Sequence, residues 1–253
     1  MGNIVREGSE SLTGGEISGV PPHLVGAGEA ITAENLDPRN SQGAVTRAGR
    51  SNFSVSGGSD SSVKGLKTWT RDAGKFFIVA RVGTTFYHVS AASWASIGIG
   101  GTNNDPMRAA ALNNSLAIVV DGLAPQTWDG TTFAALGGSP PAEAKYAAVY
   151  VSKLILAGND ANPQTIYGSA TNNPADFTTA DDAFSLTAQD GGGDTIQGLV
   201  STRRSLLILY RNFVDVLVGD SVFNFRVDRL IDRGLSSKSG YVAAGEVAFF
   251  ASD

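Results

Sequence analysis

Leu116-Ala117-Ile118-Val119-Val120, followed at once by Asp121-Gly122, is the stretch whose reading decides the fold. The run is too short for a helix, is rich in β-branched residues and ends on turn punctuation, so it reads as a strand buried on both faces. Four more runs have the same character: residues 76–80 (FFIVA), 154–157 (LILA), 206–210 (LLILY) and 247–251 (VAFFA). Each is soon followed by Gly, Asp or Asn, at Gly83, Gly158-Asn159-Asp160, Asn212 and Asp253. The run starts lie 40, 38, 52 and 41 residues apart, close to the roughly 40–50 residues of a four-stranded propeller blade.

Other strand candidates fall into this frame. Ahead of each run lies one at residues 65–69, 107–112, 146–150, 198–201 and 241–244. After the first four runs comes a third at 85–89, 125–128, 164–167 and 214–218, then a fourth opening near Trp94, Phe133, Phe184 and Phe225. A single blade cannot bury two apolar faces, whereas blades packed radially bury each other. The spacing therefore predicts an all-β chain, a β-propeller of about five blades, or six, with the last one incomplete at residue 253. A β-sandwich also uses short strands but has no reason to repeat a four-strand frame.

The long third spacing comes from residues 169–193, an Asn, Asp, Thr and Gly-rich insertion expected to sit on one face as a loop. Residues 1–60, marked by Gly14-Gly15, Pro21-Pro22 and Gly57-Gly58, hold little apolar material and read as an extended arm that gains order from a partner. Residues 61–253 carry the repeats. A half-blade leaves an open sheet edge, so closure is expected from N-terminal strands, from another chain, or from a longer protein of which this is a fragment.

Composition narrows the function classes. The chain of 253 residues has no cysteine, which removes disulfide scaffolds, thiolate metal sites and cysteine nucleophiles. No run approaches the length of a membrane span, and residues 1–20 hold no apolar block of the signal-peptide kind. Met1-Gly2 lacks the Ser or Thr at position 6 that myristoylation wants, having Arg6. Lys and Arg number 19 against 24 Asp and Glu, a net of −5, and the imbalance is concentrated in residues 101–200, with 3 basic and 10 acidic residues. Tight, static nucleic-acid binding needs a concentrated basic face and is not expected, while passage of DNA past a repelling wall is allowed.

The candidates for chemistry are few. His23 and His88 have no partner at metal-ligand spacing, and no GxSxG elbow accompanies them. Thr70-Arg71-Asp72-Ala73-Gly74-Lys75-Phe76-Phe77 fits the S/T-x-D-x-G-x-x-F/W pattern and resembles the Asp-box turns of sialidase-type propellers, where the box is a structural turn. Asp181-Asp182 reads as a solvated turn, since sequence neighbours rarely present both carboxylates to one substrate. Asp190-Gly191-Gly192-Gly193-Asp194 has oxygen ligands on a Gly-rich turn but lacks the repeated ligand series that calcium sites use. Arg203-Arg204, Arg226, Arg229 and Arg233 intermix with Asp228 and Asp232, as a solvated or partner-facing rim does. No catalytic residue, cofactor or metal is expected.

Residues 34–40 (ENLDPRN) and 43–50 (GAVTRAGR) resemble the opening of bacteriophage virion proteins of the tail accessory and nozzle type, in which such a segment precedes a β-propeller. Residues 128–133 (WDGTTF) are similar to the blade-ending turn of those proteins. The likeness extends through residues 206–212, Asp215-Val216-Leu217, Gly219, Phe225, residues 232–235 (DRGL) and 245–250 (GEVAFF). The chain departs from them in length, because those proteins are longer and finish their propeller. The resemblance implies a structural part of a phage tail, assembled in the host cytoplasm as a ring of about six copies below the portal and adaptor. Double-stranded DNA would pass transiently through it, and Arg39, Arg47 and Arg50 of the arm would contact a partner. A carbohydrate-binding or glycan-hydrolysing propeller, using the loop around Asp181 and Asp190, is the alternative; a head-to-tail connector is a third.

Overall fold

The computed structural model describes residues 63–71, 74–90, 93–101, 105–187, 193–238, 240–244 and 247–252, with four two-residue strands nearer the N-terminus. The chain divides into two units, Met1–Phe53 and Ser54–Asp253. In the first, β1 (Gly15–Glu16) pairs in parallel with β2 (Glu29–Ala30), and β3 (Leu36–Asp37) pairs antiparallel with β4 (Val45–Thr46). Arg39, Arg47 and Arg50 lie outside the described residues.

The second unit is a row of antiparallel sheets with strands in sequence order. The first sheet holds β5 (Val63–Thr70), β6 (Phe76–Val82), β7 (Thr85–Ser90) and β8 (Ser93–Ile99). The second holds β9 (Arg108–Leu112), β10 (Ser115–Val120), β11 (Leu123–Trp128) and β12 (Phe133–Ala135). The third holds β13 (Tyr146–Tyr150), β14 (Lys153–Ala157), β15 (Thr165–Gly168) and β16 (Phe184–Thr187). The fourth holds β17 (Ile196–Ser201), β18 (Leu206–Tyr210), β19 (Val214–Val218) and β20 (Arg226–Ile231). A fifth has β21 (Tyr241–Ala244) and β22 (Val247–Phe250). All five runs that the sequence marked are second strands, and the four-strand frame holds.

Strand periodicity explains how the sheets stack. Successive side chains point to opposite faces, so in β10 Leu116 and Ile118 pack with Trp69, Val79 and Phe86 of the first sheet. The intervening Ala117 and Val119 pack instead with Leu154 and Leu156 of the third. The third sheet repeats the device, turning Ile155 and Ala157 toward Leu206, Ile208 and Tyr210 of the fourth. Leu207 and Leu209 then meet Tyr241, Ala248 and Phe250 of the fifth. Neighbouring first strands, β5 to β9 to β13 to β17 to β21, lie side by side around one axis. This is the blade arrangement of a β-propeller, with four four-stranded blades and a two-stranded fifth among the described residues.

Two expectations are corrected. Burial on both faces holds for β10, β14 and β18 but not at the flanks, where Phe76 of β6 and both Val247 and Phe249 of β22 are exposed because, among the described residues, each has a neighbouring sheet on one side only. Residues 169–193 are not one loop on one face: they contain β16, which pairs with β15 as the outer strand of the third blade, so the loop proper is the connection between those two strands.

Tight hairpins place the strands. Asn113-Asn114 and Val151-Ser152 each join a first to a second strand with positive φ at both residues, 47° and 62°, then 47° and 56°. That is the type I′ geometry whose twist suits two-residue hairpins. Val151 is an unexpected occupant, since a β-branched residue there is strained, and its side chain packs on the core between the third and fourth blades. The aromatic residues that open fourth strands fill space left by glycine: a Cβ on Gly168 would lie 2.1 Å from the Phe184 ring, and one on Gly98 2.3 Å from that of Phe133. Gly168→Ala is therefore expected to cost about 1–3 kcal/mol through overpacking, read as a lower midpoint in urea. An unchanged midpoint would show that the ring moves aside freely.

Candidate functional site

The five first strands enclose a central cavity of about 870 Å³. Its wall is built of small and apolar side chains, Ala109, Ala148 and Val200 among them, with Leu66 of β5 and Val242 of β21 on opposing flanks. Lys67 and Arg108 are its ionisable lining groups besides Tyr241, and no carboxylate lines it among the described residues. Arg108 is held in place by its stack on Tyr146, 4.6 Å from the ring centroid, and by donation to the Lys238 carbonyl at 3.1 Å. Burial pushes the Tyr146 phenol up to about 12, against the opposing pull of Arg108.

The described carboxylates of residues 101–200 sit in loops at both ends of the blades. Asp121 and Asp160 share Lys145, at 3.2 and 2.6 Å. Asp129, in the resemblance-bearing Trp128–Phe133 turn, accepts the backbone N–H groups of Thr131 and Thr132 at 2.8 and 2.7 Å. Those hydrogen bonds, with Arg71 nearby, lower its pKa. Arg71 in turn donates to the Asp129 carbonyl, so the Asp-box segment and the blade-ending turn brace each other. Asp72, the acid of that box, lies outside the described residues, as does Asp190. Asp194 accepts from the backbone and side chain of Asn212, at 2.8 and 3.2 Å, and so fastens one connection to the next.

Among the described residues three charged side chains are nearly or fully buried, and each serves the fold. Arg81, at the end of β6, donates to the carbonyls of Asp105 and of Gly100, the latter at 3.1 Å. Asp215 of β19 takes the guanidinium of Arg229 at 2.7 Å, and that guanidinium also lies 3.6 Å over the Phe213 ring and reaches Asp232 at 3.1 Å. The arginine cluster is thus not uniformly a rim: Arg226 pairs with Asp228 in solvent, while Arg229 is a clasp. Lys153, only 2% exposed, donates to the carbonyls of Ser169 and Asp182, at 3.3 and 2.6 Å, and to the Asp182 carboxylate. Asp182 also accepts from Thr171, through its backbone N–H at 2.8 Å and its hydroxyl at 2.7 Å.

Asp181-Asp182 is consequently no simple solvated turn. Asp181 points into solvent with φ at +64°, whereas Asp182 fixes the loop between β15 and β16 to the blade. The two carboxylates go separate ways, and the residue that holds one of them, Lys153, escaped the sequence reading. A signal for it exists: a lysine directly abutting Leu154-Ile155-Leu156-Ala157 opens a strand whose residues are buried on both faces. Arg81, trailing Phe76-Phe77-Ile78-Val79-Ala80, carries the same signal.

His88 lies 5.1 Å from the Trp128 ring and 6.4 Å from Phe77, in the aromatic packing between the first two blades. Among the described residues no group of three or more His, Asp or Glu could hold a metal ion. No helix among them is long and apolar enough to cross a membrane.

No family model matches the chain, and no curated protein does. Among solved structures, it is similar to BBS1N in complex with ARL6DN, from a crystal soaked with mercury. The identity is 12% and the TM-score 0.41, over 69% of this chain and 56% of that one.

The Lys153 clasp gives a test with a defined sign. Hydrogen bonding from Lys153 lowers the Asp182 pKa, so its stabilisation is present above the unfolded value near 3.9 and is lost as pH falls through the folded value. Asp182→Asn should cost about 1–3 kcal/mol at neutral pH by leaving a buried ammonium short of its charged partner. It should also flatten the acid limb of stability against pH. Equal acid sensitivity in the variant and the parent, followed by urea unfolding, would remove this role.

Proposed function

We propose that the chain is a structural, non-enzymatic part of a bacteriophage tail, a nozzle-type subunit that joins copies of itself in a ring of about six. In this reading it lies below the portal and adaptor, is assembled in the host cytoplasm, and lines part of the path by which DNA leaves the virion. The observation that carries the reading is the pair of apolar sheet faces at the flanks of the propeller. Leu66 and Phe76, 61% and 59% exposed, share the outer face of the first blade. Val242, Val247 and Phe249, 59%, 53% and 58% exposed, belong to the fifth sheet, with Val242 and Phe249 directly opposite each other. Contiguous apolar surface of this kind marks an assembly site rather than a solvated monomer.

The loop carboxylates fit the same role. DNA moves freely past acidic walls and sticks to basic ones, and Asp129 and Asp181 stand exposed at one end of the blades. The glycan-hydrolase alternative, which would use Asp181 and Asp190, needs two carboxylates held at a defined separation; Asp181 points into solvent, and Asp190 lies outside the described residues.

Light scattering and electron microscopy of the purified protein test the proposal. A closed ring of several copies is expected, and Phe249→Asp, an exposed change, should reduce it to single subunits with an unaltered circular dichroism spectrum. A monomer at all concentrations, with apolar flanks indifferent to charge, would overturn it.

A further inference from the structure

On the outer rim between the second and third blades, the connection from β12 to β13 crosses the loop between β15 and β16 and leaves a groove of about 370 Å³. This volume is at the small end of the range for ligand sites, about 300–1,000 Å³. The rings of Tyr167, Phe177 and Pro140 line it together with the hydroxyl-bearing Ser139, Thr179 and Ser185, and no charged side chain does among the described residues. Tyr167 and Ser185 are directly opposite across β15 and β16, so they face the groove from one side of the sheet.

The groove is held open by bonds independent of any ligand. Asp176 accepts from the backbone N–H groups of Thr178 and Thr179, at 2.9 and 3.0 Å, and from both hydroxyls. These contacts draw its pKa down to about 2, so the clamp stays charged at any ordinary pH. With their hydrogens given to Asp176, the two threonine oxygens keep lone pairs for an incoming donor. Phe177 donates its N–H to the Gly138 carbonyl at 2.9 Å, fixing the loop against the β12–β13 connection. The far end of the loop is fixed by Asp182 on Lys153. Ser139, at the lip, is held with φ at +56°.

We propose that this groove binds a neutral pyranose sugar. The apolar C–H face of such a ring stacks on an aromatic face, whose negative quadrupole favours it, while ring hydroxyls exchange hydrogen bonds with serine and threonine oxygens. An anionic ligand would find no cation here, and a purely apolar one would strand the hydroxyls. Carboxylate chemistry plays no part in the site: Asp181 stands beside it and Asp176 and Asp182 are structural. The site goes beyond the tail role and does not depend on it, because the third blade and the β12–β13 connection that form it belong to one chain.

The test is saturation-transfer NMR of the purified protein with methyl glucopyranoside, galactopyranoside and mannopyranoside, followed by titration of the best binder and of its disaccharide. Binding on the order of millimolar, as expected of a shallow site, should weaken at least about tenfold in Tyr167→Ala and in Ala180→Trp. The second variant fills the groove from an exposed lining position and leaves the core alone. Asp181→Ala should bind as the parent does. Absence of transfer to all three glycosides, binding untouched by Ala180→Trp, or loss in Asp181→Ala would each overturn the proposal, whatever the subunit count proves to be.

Discussion

A strand that is apolar on both faces must have a sheet on each side, and the order of this molecule descends from that requirement. Leu154, Ile155 and Leu156 are all fully buried, yet they point alternately into two different interfaces. Burying each such side chain contributes about 1.5–3 kcal/mol, against a net of about 0.5–1.5 kcal/mol for a hydrogen bond. Ladder bonds would be made equally well in an isolated sheet, so packing and not pairing decides how the sheets are placed. Three consecutive two-faced strands, β10, β14 and β18, fix a row of at least five sheets, since each demands a neighbour before and after it.

The buried charges follow from the same geometry. Lys153, Arg81 and Asp215 stand at or near strand ends, where the apolar interior gives way to connections whose carbonyls and N–H groups need partners. Arg81 and Lys153 answer two carbonyls each, tying a connection to the blade it leaves. A hydrophobic residue of similar size would bury well but could not satisfy those carbonyls. The charge is tolerated because its hydrogen bonds are already arranged, at a desolvation cost that the Asp182 carboxylate offsets for Lys153.

Much of the fold was legible because its determinants are local. Short continuous apolar runs rich in β-branched residues and turns such as Asp121-Gly122 act within a few residues, and the strand frame read from them, with the aromatics near Phe133 and Phe184 opening fourth strands, agrees with the sheets. What escaped depends on contacts between distant positions. Whether Asp182 is solvated depends on Lys153, and whether Arg229 is a rim residue depends on Phe213 and Asp215 lying beneath it. Burial at the flanks failed for a related reason: Phe76 and Phe249 have the composition of two-faced strands, but composition does not say whether a neighbour is present. The rim groove was illegible altogether, because Pro140 belongs to the β12–β13 connection and Tyr167 and Phe177 to β15 and the loop after it, and only the folded chain brings the two segments together.

The proposed assembly and the proposed sugar site are therefore separable physically. The groove is formed by the β12–β13 connection and the third blade, and that blade's interface with the second, Ala117 and Val119 against Leu154 and Leu156, lies within the chain. Its shape is set by Asp176, Gly138 and Lys153, none of which belongs to a flank. The flanks, by contrast, are where the two-faced rule is left unsatisfied, with Phe76 at one side and Phe249 at the other. Covering those faces changes the energy of the first and fifth sheets and leaves the second and third as they were. A ligand seated in the groove would accordingly neither require the ring nor drive it, and a charge placed at Phe249 would reach the ring without reaching the groove.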